Sequence, residues 1–576
     1  MSPLIILLLC LFFFRLHNAK ITCTPPENLI VPTLAYDDSS ITLAWHKPNN
    51  YRNIVNYNIY MNGNLIGNAN SNTASKAKSF IDNFYKDPSN SSALHISIHT
   101  YTVTNLNPDT SYSFTIRSVD NKGNESKYSN IVVQCTTKTP EIFDITKYGA
   151  VGDGQTLDTK AIQSAIDACT SGGKVLIPAG KTFKSGSLWL KSNMIFQVDG
   201  ELLGSENPEN YLNSNHIAKK DSKNNALINA IGDSTSKNLK IIGSGVIDGN
   251  GWKSGVSEAI TGFPNSLKSS LKTVSENGIL AANEFKIAKS NGLSDVKAYS
   301  TRSNLVSISH IDNVYYGDGL SFVNPAQQTI GSSDCNNVVL NGALVKTFDC
   351  NNGDGIDFDA KGLTVLNSVF DTGDDDINFT AGKGADAEKN RKPVSDVWIF
   401  DNYFGRGHGA VVAGSNTAAW IENVLSEDNV LNGTGAGVRC KTAPEVGGGA
   451  KNITFRDSEL KNITDGDGEP FIFTSNYSNS TATGTYEPAT QLPQFKNISI
   501  TNCNIDGSKN NAIFVSGLNN AYHENINFEN ISFKNTKPAK IDFMSNSTFI
   551  NVTFDSSIKD PWIITNSKNL SFNNNK

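Results

Sequence analysis

Four short stretches carry residue types that could do chemistry together: "NGDGID" (352–357), "GDDDI" (373–377), "GRGHGAV" (405–411) and "VRCKT" (438–442). The second holds three consecutive acids, Asp374, Asp375 and Asp376. Crowded carboxyls raise one another's pKa, so that one stays protonated while its neighbour is ionised. One carboxyl as proton donor and another as activator of water is the equipment for cleaving a glycosidic bond. Arg439 and Lys441 alternate on a strand, share a face, and suit the carboxylate of an acidic sugar. The glycines around His408 let a substrate approach the backbone closely. Each stretch alone is weak: an acidic triplet is most often a solvated turn or a calcium site, and a lone His between glycines is usually structural.

Their joint meaning depends on what positions them. From about residue 185, short apolar segments recur every 20 to 30 residues, among them "NVVLNGALV", "GLTVLNSVF", "DVWIFDNYF" and "KNITFRDSEL". No helical pattern lies between them, and Gly, Asp or Asn follows each. A single such segment cannot bury its apolar side chains, so the period predicts stacked coils of a β-solenoid. Strands about 4.8 Å apart would bring Asp354, the acidic run, His408, Arg439 and Lys441 into one patch.

Upstream, residues 20–138 alternate in period two, with Ile41, Leu43 and Trp45 on one face and Tyr112, Phe114 and Ile116 on another. "LNPDTSY" places a turn before Tyr112, as in the tyrosine corner of a β-sandwich. The stretch resembles a fibronectin type III domain, with Trp45 as its inner-sheet tryptophan. Beyond "TTKTPEIFDITKYGA", a helix is expected from about Asp158, with Ala161, Ile162, Ala165 and Ile166 at helical spacing, capping the solenoid. Residues 253–300 break the solenoid pattern and read as a partly helical insertion that could shape a binding site. Residues 1–19 read as a secretory signal peptide, its apolar run too short to span a bilayer. Cys23 and Cys135 bracket the first domain and are candidates for a disulfide in an oxidising compartment. Asn-x-Ser/Thr triplets are scattered through the repeats, where Asn, Ser and Thr are the ordinary turn residues.

A net charge of −6 gives no footprint for nucleic acid or an anionic membrane surface. No Cys or His spacing suggests zinc; no metal and no cofactor is expected.

Taken in order, the four stretches, with "YGAVGDGQTLDT" and "GVIDGNGW", resemble the polygalacturonase family of pectin hydrolases, glycoside hydrolase family 28. That family carries Asn-Thr-Asp, Gly-Asp-Asp, Gly-His-Gly and Arg-x-Lys in this order. The resemblance implies a right-handed parallel β-helix over residues 139–576, an all-β fold with the sandwich in front. It implies inversion by single displacement, with Asp374 as general acid, Asp354 and Asp375 holding and activating water, and His408 supporting the acid's proton balance. Arg439 and Lys441 would bind a galacturonate carboxylate. Gly353 departs from the usual Thr, and Asp376 stands where Cys is common. A slipped register pairing Asp375 with Asp376 is disfavoured by the glycine before Asp374.

The sandwich and the insertion together resemble bacterial exo-poly-α-galacturonosidases. The expectation is therefore a secreted monomer, extracellular or periplasmic, that acts on polygalacturonate from chain ends and releases mono- or digalacturonate. The alternatives are an endo-polygalacturonase, a rhamnogalacturonan hydrolase, a calcium-dependent pectate lyase, or a carbohydrate-binding adhesin without activity.

Overall fold

The computed structural model describes residues 23–212, 223–252, 280–348, 350–478 and 486–575. The signal-peptide segment 1–19 and residues 253–279 of the insertion lie outside the described residues.

Stacking of the repeats forms the body of the molecule. Among the described residues, twelve short strands from Leu188–Trp189 to Trp562–Thr565 make one parallel sheet. A second, larger set pairs in parallel around the remaining sides, as Val338–Asn341 does with Lys361–Leu366. In-register pairing sends the alternate apolar residues inward. Phe358, Phe379, Ala413 and Cys440 occupy successive rungs of one inward column, all buried. The helix Thr159–Ala168 begins one residue after the expected position and buries Ile162, Ala165 and Ile166 against the first coils.

The recurrent asparagines have a physical cause. Asn423, Asn452, Asn497 and Asn525 stand at one corner of successive coils, each with φ between 53° and 58°. Asn tolerates this left-handed conformation better than other non-glycine residues. Their amides form a ladder, each Nδ2 donating to the Oδ1 one coil earlier at 2.9–3.3 Å.

The N-terminal domain is a sandwich of a three-stranded and a four-stranded antiparallel sheet. Trp45 is fully buried and packs edge-on to Tyr57 at 5.3 Å. The Tyr112 hydroxyl accepts a hydrogen bond from the Asn107 backbone N–H at 2.9 Å, the expected corner. The proposed Cys23–Cys135 disulfide is absent: both cysteines are free thiols. Cys135 pairs with Ser111 at one end of the strand Ser111–Asp120, whereas Cys23 Sγ donates to the Ser118 carbonyl near the other. Seven residues of extended chain span roughly 20 Å, far beyond the ~7 Å Cα separation a disulfide tolerates.

The sandwich lies against the flank of the solenoid. A helix that period-two reading did not anticipate, Lys76–Lys86, buries Ala77, Ile81 and Phe84 against Val369 and Val430. Lys47 is buried among Glu427, Asp428 and Asp457, at 3.6, 2.5 and 2.5 Å. His46 stacks on Trp398 at 4.1 Å.

Candidate active site

Register brings the four stretches together. Ile356 pairs with Ile377, Asn378 with Val412, and Val412 with Arg439, so the stretches lie on four consecutive coils. Backbone bonds lock the coils just before these strands: Gly355 N–H donates to Asp375 O, and His408 N–H to Asp374 O at 2.8 Å. A Cβ on Gly373 would sit 1.9 Å from the Cys350 carbonyl oxygen of the preceding coil. Glycine is therefore required one residue before Asp374, which fixes the register of the acidic run. Gly353 replaces Thr for a related reason, since a Cβ there would lie 2.8 Å from the same oxygen.

The three consecutive acids have three different environments. Asp374 is partly exposed and its Oδ1 pairs with His408 Nδ1 at 2.9 Å. Burial alone would raise its pKa, but the His408, Lys441 and Arg439 cations hold it well below the usual carboxylate range. Reciprocally, Asp374 raises His408 to about 8 against the effect of burial. The pair thus carries one proton near neutrality, resident on the imidazole. Asp375 is 2% exposed and bracketed by two cations, with Arg439 Nη1 at 3.0 Å and Lys441 Nζ at 2.7 Å. Asp376 is fully buried and accepts bonds from Thr372 Oγ1 at 2.7 Å and Thr434 Oγ1 at 3.1 Å. Burial drives it well above the carboxylate range, against the hydrogen bonds from the two hydroxyls. Asp354, from the preceding coil, is also driven well above that range by burial and by the charges of Asp357, Asp374 and Asp375.

Arg439 and Lys441 sit on the strand Val438–Thr442, each 6% exposed. Both are engaged by Asp375, and Arg439 also holds Asp467 at 2.6 Å. Three contributors were not anticipated from sequence. Asp467 and Tyr477 come from the following coil; the Tyr477 ring lies 5.8 and 5.3 Å from the two cationic heads. Asn352, first residue of the "NGD" stretch, donates to Asp374 Oδ2 at 3.2 Å. Its place in the motif was the available signal; nothing local marks the other two.

Among the described residues, two acidic groups have spacing that could suit a metal: Asp374, Asp375 and His408, and Glu427, Asp428 and Asp457. In each, protein cations already neutralise the carboxylates: Arg439 and Lys441 at the first, Lys47 at the second.

Residues 169–549 match the glycosyl hydrolases family 28. The chain belongs to that family. Residues 24–134 match the fibronectin type III domain. Over 571 residues the chain is 40% identical to an exo-poly-alpha-D-galacturonosidase of Dickeya chrysanthemi, covering 95% of this chain and 94% of the relative. It is 29% identical to an endo-polygalacturonase of Pectobacterium parmentieri over 53% of this chain and 69% of that protein. The solved family 28 exopolygalacturonase of Yersinia enterocolitica superposes with a TM-score of 0.85 at 38% identity, covering 95% of this chain and 99% of that one. The parallel β-helix preceded by a sandwich is thus a shared architecture, and the protein is a glycoside hydrolase.

Proposed function

We propose that the protein is a secreted hydrolase that cleaves α-1,4-galacturonosidic bonds of polygalacturonate from chain ends, releasing mono- or digalacturonate with inversion. The observation that carries this reading is the meeting of Asp354, Asp374 and Asp375 on adjacent coils. One of the three is paired with an imidazole and another with two cations.

Asp374 gives its proton to the glycosidic oxygen as the C1–O bond breaks. Water attacks C1 from the opposite face and loses a proton to Asp375, while Asp354 orients that water by hydrogen bonding. In the free site Asp374 is ionised, so it must first gain the proton held by His408. Substrate supplies the cause. A galacturonate carboxylate arriving at Arg439 and Lys441 cancels part of the positive field that keeps Asp374 ionised, and its pKa rises. The acid is thereby armed on binding.

Exo action is supported by similarity that runs through both domains, rather than the solenoid alone, to a relative named for that activity. It is also supported by the position of the insertion. Ile228 pairs directly with Val306, so the described residues between them, including the helices Leu280–Ser290 and Asp295–Ser300, belong to one enlarged coil upstream of the acids. Among the described residues, no helix is long and apolar enough to cross a membrane.

The test is to incubate the protein with polygalacturonate in chelator and resolve products over time by anion exchange. Saturated mono- or digalacturonate from the first time point, without intermediate oligomers, is expected. Mixed oligomers would overturn exo action, and unsaturated products would overturn hydrolysis.

A further inference from the structure

The enlarged coil does more than add bulk beside the acids. It includes Arg302, which is fully buried and directed at Asn351 and Asn352 beside the acids. The Arg302 guanidinium stacks on the Tyr299 ring at 3.8 Å, and its Nε donates to the Tyr299 carbonyl at 2.8 Å. Nη1 donates to the Ala326 carbonyl at 2.8 Å and the Asn351 carbonyl at 3.3 Å. Nη2 reaches Asn352 Oδ1 at 3.2 Å. The opposite end of that amide, Nδ2, donates to Asp374 Oδ2. Glu284, buried in the helix Leu280–Ser290, accepts from the backbone N–H of Ser303 and so fixes the residue next to Arg302. A planar fork holding four acceptors in fixed directions is something Arg provides and Lys does not.

We infer that Arg302 and Asn352 are positioning residues for the general acid, a relay through which the inserted coil orients the Asp374 carboxyl. This rests on the functional reading above. Arg302 settles which way the Asn352 amide faces, because its N–H groups can donate only to the Oδ1 end. The amide N–H is thereby presented to Asp374 Oδ2, while Oδ1 is engaged by His408 and by the Asp375 backbone N–H at 3.0 Å. Both carboxyl oxygens are then fixed. A donor on Asp374 favours its charged form, so the bond strengthens as the proton leaves for the glycosidic oxygen.

Asn352 has φ +52°, a conformation that glycine adopts without strain. Asn352→Gly therefore removes the relay while sparing the backbone. Its kcat on polygalacturonate should fall about 10- to 100-fold with KM within about twofold, as for a lost hydrogen bond to a charged group. The charged or titratable groups acting on Asp374 are His408, Lys441, Arg439, Asp354, Asp357, Asp375 and Tyr299. All remain in this variant, and loss of the donor should move the alkaline limb of kcat to higher pH.

Arg302→Lys should lower kcat about tenfold, and the double variant should be no slower than Asn352→Gly alone, since Arg302 acts through Asn352. Unchanged kcat in Asn352→Gly, or losses that multiply in the double variant, would overturn the relay. Wild-type protein in the same assay separates this from the parent reading: if it yields no saturated product, the assigned reaction fails; if it does, the variants judge the relay alone.

Discussion

The three neighbouring aspartates differ because each faces a different partner: an imidazole, two cations, or two hydroxyls in the core. If Asp374 is the acid, Asp374→Asn should lower kcat by about 10²–10⁴-fold with little change in KM, the range for a lost general acid. Steady-state kinetics on polygalacturonate checks it. The pH profile follows from His408. Its pKa is raised from 6.5 to about 8, so the proton shared with Asp374 is held below that pH and lost as pH rises through it. Activity should decline on an alkaline limb near pH 8 in the wild type. In His408→Gln that limb should leave this position, since the shared proton has lost its site. That these residues meet was legible in the sequence because each sits in a short stretch with a fixed neighbour, as Gly373 does before Asp374. Arg302 and Tyr477 were not, because their contacts join segments far apart in sequence and leave no local spacing.

At the scale of elements, the repeat was readable because apolar alternation and corner asparagines recur together. The asparagine ladder gives a direct check. Asn452→Ala must hold a left-handed conformation and loses ladder bonds to Asn423 and Asn497, so it should destabilise by about 1–3 kcal/mol. Asn452→Gly relieves the backbone part and should lie between it and the wild type. Chemical denaturation of the three proteins measures the order. The helix Lys76–Lys86 escaped the period-two reading because it is a docking element. Its apolar face answers to Val369 and Val430 of the other domain, rather than to the sandwich it belongs to.

Across the whole molecule, the sandwich was legible as a fold, but its attachment was not. Lys47 reads as an ordinary charge after a strand, yet it is 5% exposed among three carboxylates of the solenoid. Removing one partner from such a cluster leaves uncompensated buried charge, so Lys47→Met should cost about 3–5 kcal/mol. Calorimetry should show the sandwich unfolding ahead of the solenoid. His99 adds a pH dependence. Burial opposes its charge, but Asp401 and Asp428 overcome this and raise it from 6.5 to about 9. Asp428 is the nearer, at 3.4 against 3.7 Å, and burial raises Asp401 to about 7, so Asp428 balances the imidazolium. The stability from His99 is full below pH 6.5 and lost as pH rises through about 9. Asp428, held down to about 2 despite burial by Lys47 and His99, contributes above pH 3.8 and loses its contribution as pH falls through about 2.

The stereochemistry of hydrolysis bears most directly on the account. Carboxylate oxygens of Asp374 and Asp375 lie within 4.8 Å of one another, closer than the roughly 6.5–9.5 Å common in inverting glycosidases. The assigned mechanism therefore needs Asp354, on the adjoining coil, to complete a site for water. Proton NMR of the first product released from polygalacturonate, read before mutarotation, distinguishes the two courses. Single displacement by water predicts the β-anomer at the earliest time points. The α-anomer appearing first would mean a covalent intermediate on one of these aspartates, and would contradict the roles assigned to all three.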